Sequence, residues 1–151
     1  MQPMKADEDR NNEMGRVLTE VKVENINDLL NAEQGLIGAD KVRRLTVPDA
    51  LVDTGATTFG LPSSLIKQLG LMKVTEKRAT TSSGPAIFAI YGPVRITIQD
   101  RFMTIDVLEV ADGTPTLVGQ IPLEALDFVV DMQGRRLIGN PAHGGEHMLE
   151  M

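Results

Sequence analysis

The stretch ALVDTGATT, residues 50–58, decides the fold, because an apolar strand within it delivers a carboxylate directly into a tight, glycine-containing turn. Placing an ionisable side chain after three apolar residues costs desolvation energy unless hydrogen bonds or proton sharing compensate. Thr54 can support the loop through its hydroxyl, Gly55 permits a close backbone approach, and Ala56 leaves the carboxylate approachable. The pattern predicts an exposed acid on a rigid loop, which makes Asp53 the candidate catalytic residue.

Two strands and a short helix are predicted upstream of this loop. From Val17 to Val23, valine and threonine side chains at alternate positions share one face, which is typical of a strand. A second apolar run, from Leu45 to Val52, leads directly into the loop. Between the strands, Asn25 or Asn27 can cap a helix of about two turns, and Gly35 can end that helix in a left-handed turn.

Downstream of the loop the pattern changes from helical to mainly β. Pro62 occupies a first helical position, and Gly70 is placed to stop that helix. Short runs rich in β-branched residues then follow, at residues 73–81, 86–91, 94–99, 103–110 and 116–118. A helical turn is predicted at 122–126 and a hairpin at 127–138. This spacing favours a mainly β fold, a closed barrel or sandwich, with two or three short helices.

The chain is long enough, at 151 residues, for one domain with its own core but short for two. Residues 1–13 are polar and charged, so they are expected to form a disordered arm, with order beginning near Met14. The folded domain is predicted over residues 14–140, and the glycine-rich residues 141–151 are expected to form a flexible tail. The predicted organisation is one folded domain between a disordered N-terminal arm and a flexible C-terminal tail.

Composition argues against several classes of partner. The formal net charge is -6, the basic residues occur in scattered pairs, and aromatic residues make up 3% of the chain, so neither a phosphate-binding stripe nor a base-stacking platform is evident. The first residues lack the apolar core of a secretory signal, and no apolar run approaches membrane-spanning length. No cysteine is present to form disulfides or thiolate metal sites. These features predict a cytoplasmic protein that binds neither nucleic acid nor membrane.

The sequence implies no metal and no cofactor. His143 and His147 lie four residues apart, but Gly144 and Gly145 between them oppose a helix, and no third ligand is evident. We therefore assign both histidines to the tail.

The residues around Asp53 resemble the D-T-G-A active-site loop of the retropepsins, the single-domain aspartic proteases of retroviruses and their stand-alone bacterial relatives. Leu117-Val118-Gly119 resembles the apolar-apolar-Gly strand that passes beneath this loop, and residues 122–126 take the place of the family's short helix. The resemblance covers residues 17–139. It implies a closed-barrel acid-protease fold with one lobe per chain.

The resemblance also assigns roles to individual residues. Asp53 is the catalytic acid, while Thr54, Gly55 and Ala56 support its loop, with Thr54 bonding across a twofold axis. Residues 77–81 and 86–91 resemble the arms of the flap, a hairpin that covers the substrate. The flap is expected to use six consecutive residues around its tip, Ser82, Ser83, Gly84, Pro85, Ala86 and Ile87.

One D-T-G sequence per chain implies a homodimer, in which a second Asp53 supplies the other carboxylate. One carboxylate is then ionised and the other protonated, and together they activate a water that hydrolyses an extended peptide. Ala56 lacks the hydroxyl that Ser provides in D-T-G-S relatives, so we expect an activity profile displaced toward neutral pH. The implied activity is that of an aspartic endopeptidase.

Three other interpretations compete with this one. Asp53 can be a turn-forming residue whose carboxylate binds local N–H groups. The chain can be a binding or scaffold module of the same fold that holds an extended peptide without cutting it. It can also be a peptidase that stays latent until its N-terminal arm is trimmed near Met14.

Overall fold

A computed structural model describes residues 16–148 of the chain. The predicted disordered arm, the predicted onset of order near Met14 and the last three residues of the predicted tail lie outside these residues.

Within the described residues the chain forms nine strands and three α-helices. The strands are β1 (Val17–Asn25), β2 (Arg44–Val52), β3 (Phe59–Pro62), β4 (Lys73–Thr81), β5 (Gly84–Ile98), β6 (Arg101–Val110), β7 (Leu117–Val118), β8 (Phe128–Asp131) and β9 (Arg136–Gly139). The helices are α1 (Ile26–Glu33), α2 (Ser63–Gln68) and α3 (Gln120–Ala125), and short 3-10 turns span Ala39–Lys41 and Pro141–His143. The prediction of a mainly β fold with two or three short helices is confirmed.

Seven of the strands form one mixed sheet in the order β1-β2-β7-β3-β6-β5-β4. Strand β1 pairs antiparallel with β2 and also with β5. Short parallel pairings join β2 to β7 and β3 to β6. Within the described residues β4 pairs with β5 alone, so it lies at an edge of this sheet. A separate hairpin of β8 and β9 follows α3 and confirms the hairpin predicted at 127–138.

The core lies against one face of the large sheet. Strand β1 alternates as its sequence predicts, with Val17, Val21 and Val23 buried and the residues between them more exposed. Ile66 and Leu69 of the α2 segment pack into the same cluster. The largest fully buried side chains include Phe59, Leu61, Leu69, Ile96, Ile98 and Leu126.

Helix α1 forms where the sequence places it. The Asn25 side chain accepts a hydrogen bond from the backbone N–H of Asp28 at 3.1 Å, which caps the first turn, and Gly35 follows the last turn at φ 76°. The choice between Asn25 and Asn27 as the cap is therefore settled in favour of Asn25. The buried Asp28 carboxylate binds the Arg43 guanidinium at 2.8 Å, and this bond lowers the pKa of Asp28.

Some predicted boundaries are wrong. Pro62 is the residue before α2 rather than its first helical residue. The strands predicted at 86–91 and 94–99 are one strand, β5, whose register with β6 shifts between Tyr91 and Val94. Gly92 and Pro93 separate the two predicted strands in the sequence, but the chain accommodates them as an irregularity within one continuous strand.

Candidate functional site

Asp53 stands at the end of β2, directly after the buried Val52. Its backbone N–H donates to the Val118 carbonyl at 3.0 Å, which continues the β2–β7 pairing into the loop. The half-buried carboxylate accepts a hydrogen bond from the N–H of Gly55 at 2.9 Å, and the N–H of Ala56 donates to the Asp53 carbonyl at 3.0 Å. The loop is a tight turn that presents one carboxylate oxygen without a hydrogen-bond partner among residues 16–148. This geometry fits both the catalytic and the turn-forming interpretation of Asp53.

The segment after β7 holds the loop by three backbone hydrogen bonds. Gly119, Gln120 and Ile121 donate their N–H groups to the carbonyls of Thr58, Ala56 and Thr57, each at 2.9 Å. The carbonyls of the loop are thus satisfied by the first turn of α3. The structure brings the two predicted motifs, residues 53–56 and 117–119, into direct contact.

Gly119 is required at this contact because the two backbones approach too closely for a side chain. A Cβ atom at Gly119 would lie 2.5 Å from the Thr58 carbonyl oxygen and 2.6 Å from that of Ala56. Its φ of -92° is accessible to any residue, so the requirement is one of space rather than conformation. The apolar-apolar-Gly pattern singled out in the sequence has this physical basis.

The predicted flap is a hairpin of β4 and β5, but its tip is shorter than the sequence indicates. Thr81 pairs with Gly84, so the turn consists of Ser82 and Ser83, while Gly84 and Pro85 already belong to β5. The Thr81 hydroxyl donates to the Gly84 carbonyl at 2.7 Å and accepts from the Ser83 N–H at 3.2 Å. The Thr81 side chain therefore stabilises the turn at the tip. Ala86 and Ile87 lie in β5, as expected for an arm.

A row of registered residues crosses the sheet from the Asp53 strand to this hairpin. Leu51 of β2 pairs with Leu117, Leu117 with Gly60, Gly60 with Leu108, and Leu108 with Ile90 of β5. Directly registered partners share a face of a sheet. Leu51, Leu108 and Leu117 are half-buried, in contrast to their neighbours Val52, Val107 and Val118, which are buried in the core. The row is thus a second apolar face, on the side of the sheet opposite the core.

An open cavity of about 390 Å³ lies against the hairpin. It is lined by Arg78 of β4 and by Pro85, Ala86 and Ile87 of β5. Three of the six predicted flap residues therefore border one concave surface. Ile87 is 65% exposed, which is high for a large apolar side chain in a strand.

Two carboxylates that sequence reasoning did not single out act as structural ligands for backbone groups. Asp112 accepts a hydrogen bond from the Ser64 N–H at 2.9 Å, which ties the loop after β6 to the start of α2 and lowers the pKa of Asp112. Asp127 is buried, and its carboxylate accepts from His143 Nδ1 at 2.7 Å, Asn140 Nδ2 at 3.2 Å and the Met148 N–H at 3.1 Å. The sequence contained no sign of either role, because both depend on contacts with residues far away in the chain: Ser64 for Asp112, and residues 140–148 for Asp127.

The described part of the predicted tail, residues 141–148, is bound to the rest of the domain. Besides the contacts of Asp127, the Arg101 guanidinium donates to the Gly145 carbonyl and His147 Nε2 lies 3.1 Å from the Ala125 carbonyl. Neither histidine is close to a metal-binding cluster: among residues 16–148 no group of three or more His, Asp or Glu side chains could hold a metal ion. In the same residues, no helix has the length and apolar character needed to cross a membrane.

Comparison with known proteins adds no identification. No protein-family model matches the chain, and no curated protein is significantly similar to it.

Proposed function

We propose that the chain is one subunit of a homodimeric aspartic endopeptidase of the retropepsin type, with Asp53 as its catalytic residue. The observation that carries the proposal is the Asp53 loop held by the Gly119 segment: an acid follows a buried strand, and the carbonyls of residues 56–58 accept hydrogen bonds from the N–H groups of residues 119–121. Such a loop fixes the position of a carboxylate without covering it, as acid–base chemistry requires.

The pairing of strands supports a closed-barrel acid-protease fold. Because β1 pairs with both β2 and β5, hydrogen bonding runs around a circuit of six strands, β1-β2-β7-β3-β6-β5, and returns to β1. Strand β4 is left outside this circuit and forms a hairpin with β5. A barrel with one protruding hairpin is the arrangement expected of a single lobe with a flap.

The second apolar face supports a binding cleft for an extended peptide. The row from Leu51 to Ile90 begins two residues before Asp53 and ends where the flap hairpin begins. A substrate laid along this row would have its scissile bond near the carboxylate and its backbone near the hairpin. Half-buried leucines in one row provide apolar subsites.

The proposed mechanism uses two copies of Asp53 related by a twofold axis. The ionised carboxylate takes a proton from a water, whose oxygen attacks the peptide carbonyl, while the protonated one stabilises the developing oxyanion. The tetrahedral intermediate then breaks its C–N bond, and the departing nitrogen takes a proton from the carboxyl group.

The proposal includes a cytoplasmic location, which the cysteine-free sequence favours.

The test is to incubate the wild-type protein and Asp53→Asn with an unbiased peptide library from acidic to neutral pH, with sedimentation in parallel. We expect cleavage by the wild type, loss of at least a hundredfold in the variant, and a dimer in both. Asp49→Asn is the matched control, because Asp49 is exposed on the same strand, and it should keep full activity. Proteolysis that survives in Asp53→Asn, or a protein that stays monomeric while it cleaves, contradicts the proposal. Peptide binding without cleavage would favour the scaffold alternative.

A further inference from the structure

The hairpin of β4 and β5 leaves one edge of the sheet open. Strand β4 pairs with β5 on one side, and no other strand in the part of the chain that the structure describes pairs with its second side. Alternate N–H and C=O groups of an edge strand point outward, where they can bind a further strand. The nine residues of β4 span roughly 30 Å. This edge therefore offers backbone hydrogen bonds to an extended segment.

One face of the hairpin lies away from the proposed substrate cleft. From residue 84 to residue 90 the register with β4 is unbroken, so alternate residues point to opposite faces. Ile90 ends the apolar row of the cleft, whereas Pro85 and Ile87 lie an odd number of residues from it and point to the opposite face. Arg78 is the registered partner of Ile87 and shares its face. Arg78, Pro85 and Ile87 thus define an outer face of the hairpin, separate from the cleft.

The outer face combines an apolar surface with a cation. The cavity of about 390 Å³ is lined by these three residues and by Ala86. Pro85 and Ile87 are exposed although both are apolar. The Arg78 side chain is also exposed, and it forms no ion pair with any residue between 16 and 148. The cavity can therefore take an apolar side chain beside a carboxylate.

The charges of β4 favour an acidic partner. Its charged side chains are Lys73, Glu76, Lys77 and Arg78. Lys73 Nζ lies 2.5 Å from Glu76 Oε1, so these two charges neutralise each other. Lys77 and Arg78 remain as two adjacent positive charges with no ion pair among the described residues. Residues directly across from them on an added strand would lie on the inner and outer faces, so two adjacent carboxylates would complement both.

We propose that β4 is a docking edge for an extended acidic segment of a partner protein. The segment adds to β4 as a further strand, and an adjacent pair of Asp or Glu side chains binds Lys77 and Arg78. A residue across from Thr80 lies on the outer face, in the same row as Pro85, where an apolar side chain can enter the cavity. The docking edge lies outside the cleft, so a partner bound there holds the hairpin without occupying the substrate site. The inference does not require that the chain is a peptidase.

The experiment measures binding of a fluorescein-labelled peptide of alternating Thr and Val residues with Asp-Glu at its centre. Fluorescence anisotropy is recorded with the wild type and with Asp53→Asn. We expect saturable binding to both, weaker at higher salt, and about fivefold weaker or more for the same peptide with Asn-Gln at its centre. Arg78→Gln and Lys77→Gln should each weaken binding roughly two- to fivefold. Lys67→Gln, which removes an exposed charge on α2, should leave binding unchanged.

Two further measurements locate the bound peptide. Amide hydrogen exchange should slow in residues 73–81, whose outward N–H groups gain partners, and stay unchanged in residues 51–53. Ile87→Thr should weaken binding, because the cavity loses its largest apolar side chain. Leu36→Thr is the matched control, since Leu36 is 68% exposed and Ile87 65%, and it should bind as the wild type does. Thermal unfolding checks that each variant is folded.

Three results would overturn the inference. Slower exchange at residues 51–53 in place of 73–81 would put the peptide in the cleft. Absence of binding, or equal losses in Arg78→Gln and Lys67→Gln, would mean that the charges of β4 serve only to protect an exposed edge from pairing. Self-association of the free protein that Arg78→Gln abolishes would make a second copy of the chain the occupant. None of these results bears on the role of Asp53, which the cleavage experiment decides separately.

Discussion

At the scale of single residues, Gly119 is the position where sequence and structure agree most closely. Its N–H binds Thr58, and its missing side chain lets the chain pass within reach of the Ala56 carbonyl. The sequence identified the glycine through a resemblance, and the structure supplies the steric reason. For Asp53 the structure does not choose between two roles, because the hydrogen bond from the Gly55 N–H to its carboxylate fits a turn-forming residue as well as a catalytic one.

We expect Gly119→Ala to destabilise the domain by about 1 to 3 kcal/mol, since a Cβ there would collide with two backbone carbonyls that cannot move independently. Urea unfolding measures the change. Gly60→Ala is the control: its nearest contacts would be 3.4 Å or longer, ordinary van der Waals distances, and its cost should be far smaller. Equal losses of stability in the two variants would contradict the steric explanation.

At the scale of elements, the sequence predicted well those strands and helix caps that depend on residues close together in the chain. Alternating valines specified β1, and an Asn before an apolar run specified the cap of α1. The sequence did not predict that β1 pairs with β5, or that Leu51, Leu117 and Leu108 form one row, because register between distant strands depends on the whole sheet. The second apolar face was for this reason invisible in the sequence.

Asn25 joins two elements, so its replacement tests the cap. Its Oδ1 accepts the N–H of Asp28, and its Nδ2 donates to the Leu69 carbonyl at 2.9 Å, at the end of α2. We expect Asn25→Ala to lower the free energy of unfolding by about 2 kcal/mol, from the lost cap and the unpaired carbonyl. Asn27→Ala, at an exposed position in the same helix, should change it by less than about 0.5 kcal/mol. Chemical denaturation of both variants measures the two changes in the free energy of unfolding, and the cap explanation requires the larger loss in Asn25→Ala.

At the scale of the whole molecule, Asp127 connects the C-terminal segment to the body of the domain. Arg101 donates to the carbonyls of Leu126 and Asp127, at 2.9 and 2.8 Å, and stacks over the Phe128 ring at 4.6 Å. The Asp127 carboxylate binds the C-terminal segment through hydrogen bonds from Asn140, His143 and Met148. The sequence predicted a loose tail here, because its glycines carry no signal of the long-range bonds that hold residues 141–148.

This cluster makes the stability of the domain sensitive to acid. The hydrogen bond from His143, followed by those of Met148 and Asn140, lowers the pKa of Asp127 to about 2 from an ordinary value of 3.8. Because the folded pKa lies below the unfolded one, the ionised carboxylate stabilises the fold fully above about pH 4. That contribution is lost as the pH falls toward 2, where the folded protein must also bind the proton.

We therefore expect the free energy of unfolding of the wild type to fall more steeply between pH 4 and about 2 than that of Asp127→Asn, which has no proton to bind at this site. Urea titrations at closely spaced pH values measure both slopes. Asp106→Asn, at an exposed position on β6, corrects for the removal of one negative charge and should keep the wild-type slope. Protonation of Asp127 weakens the attachment of the C-terminal segment before the whole domain unfolds. As the pH is lowered, an added protease should therefore cleave the chain after residue 139 at a higher pH than the pH of global unfolding. Parallel slopes for the wild type and Asp127→Asn would mean that the segment is held by Arg101 and by packing rather than by this carboxylate.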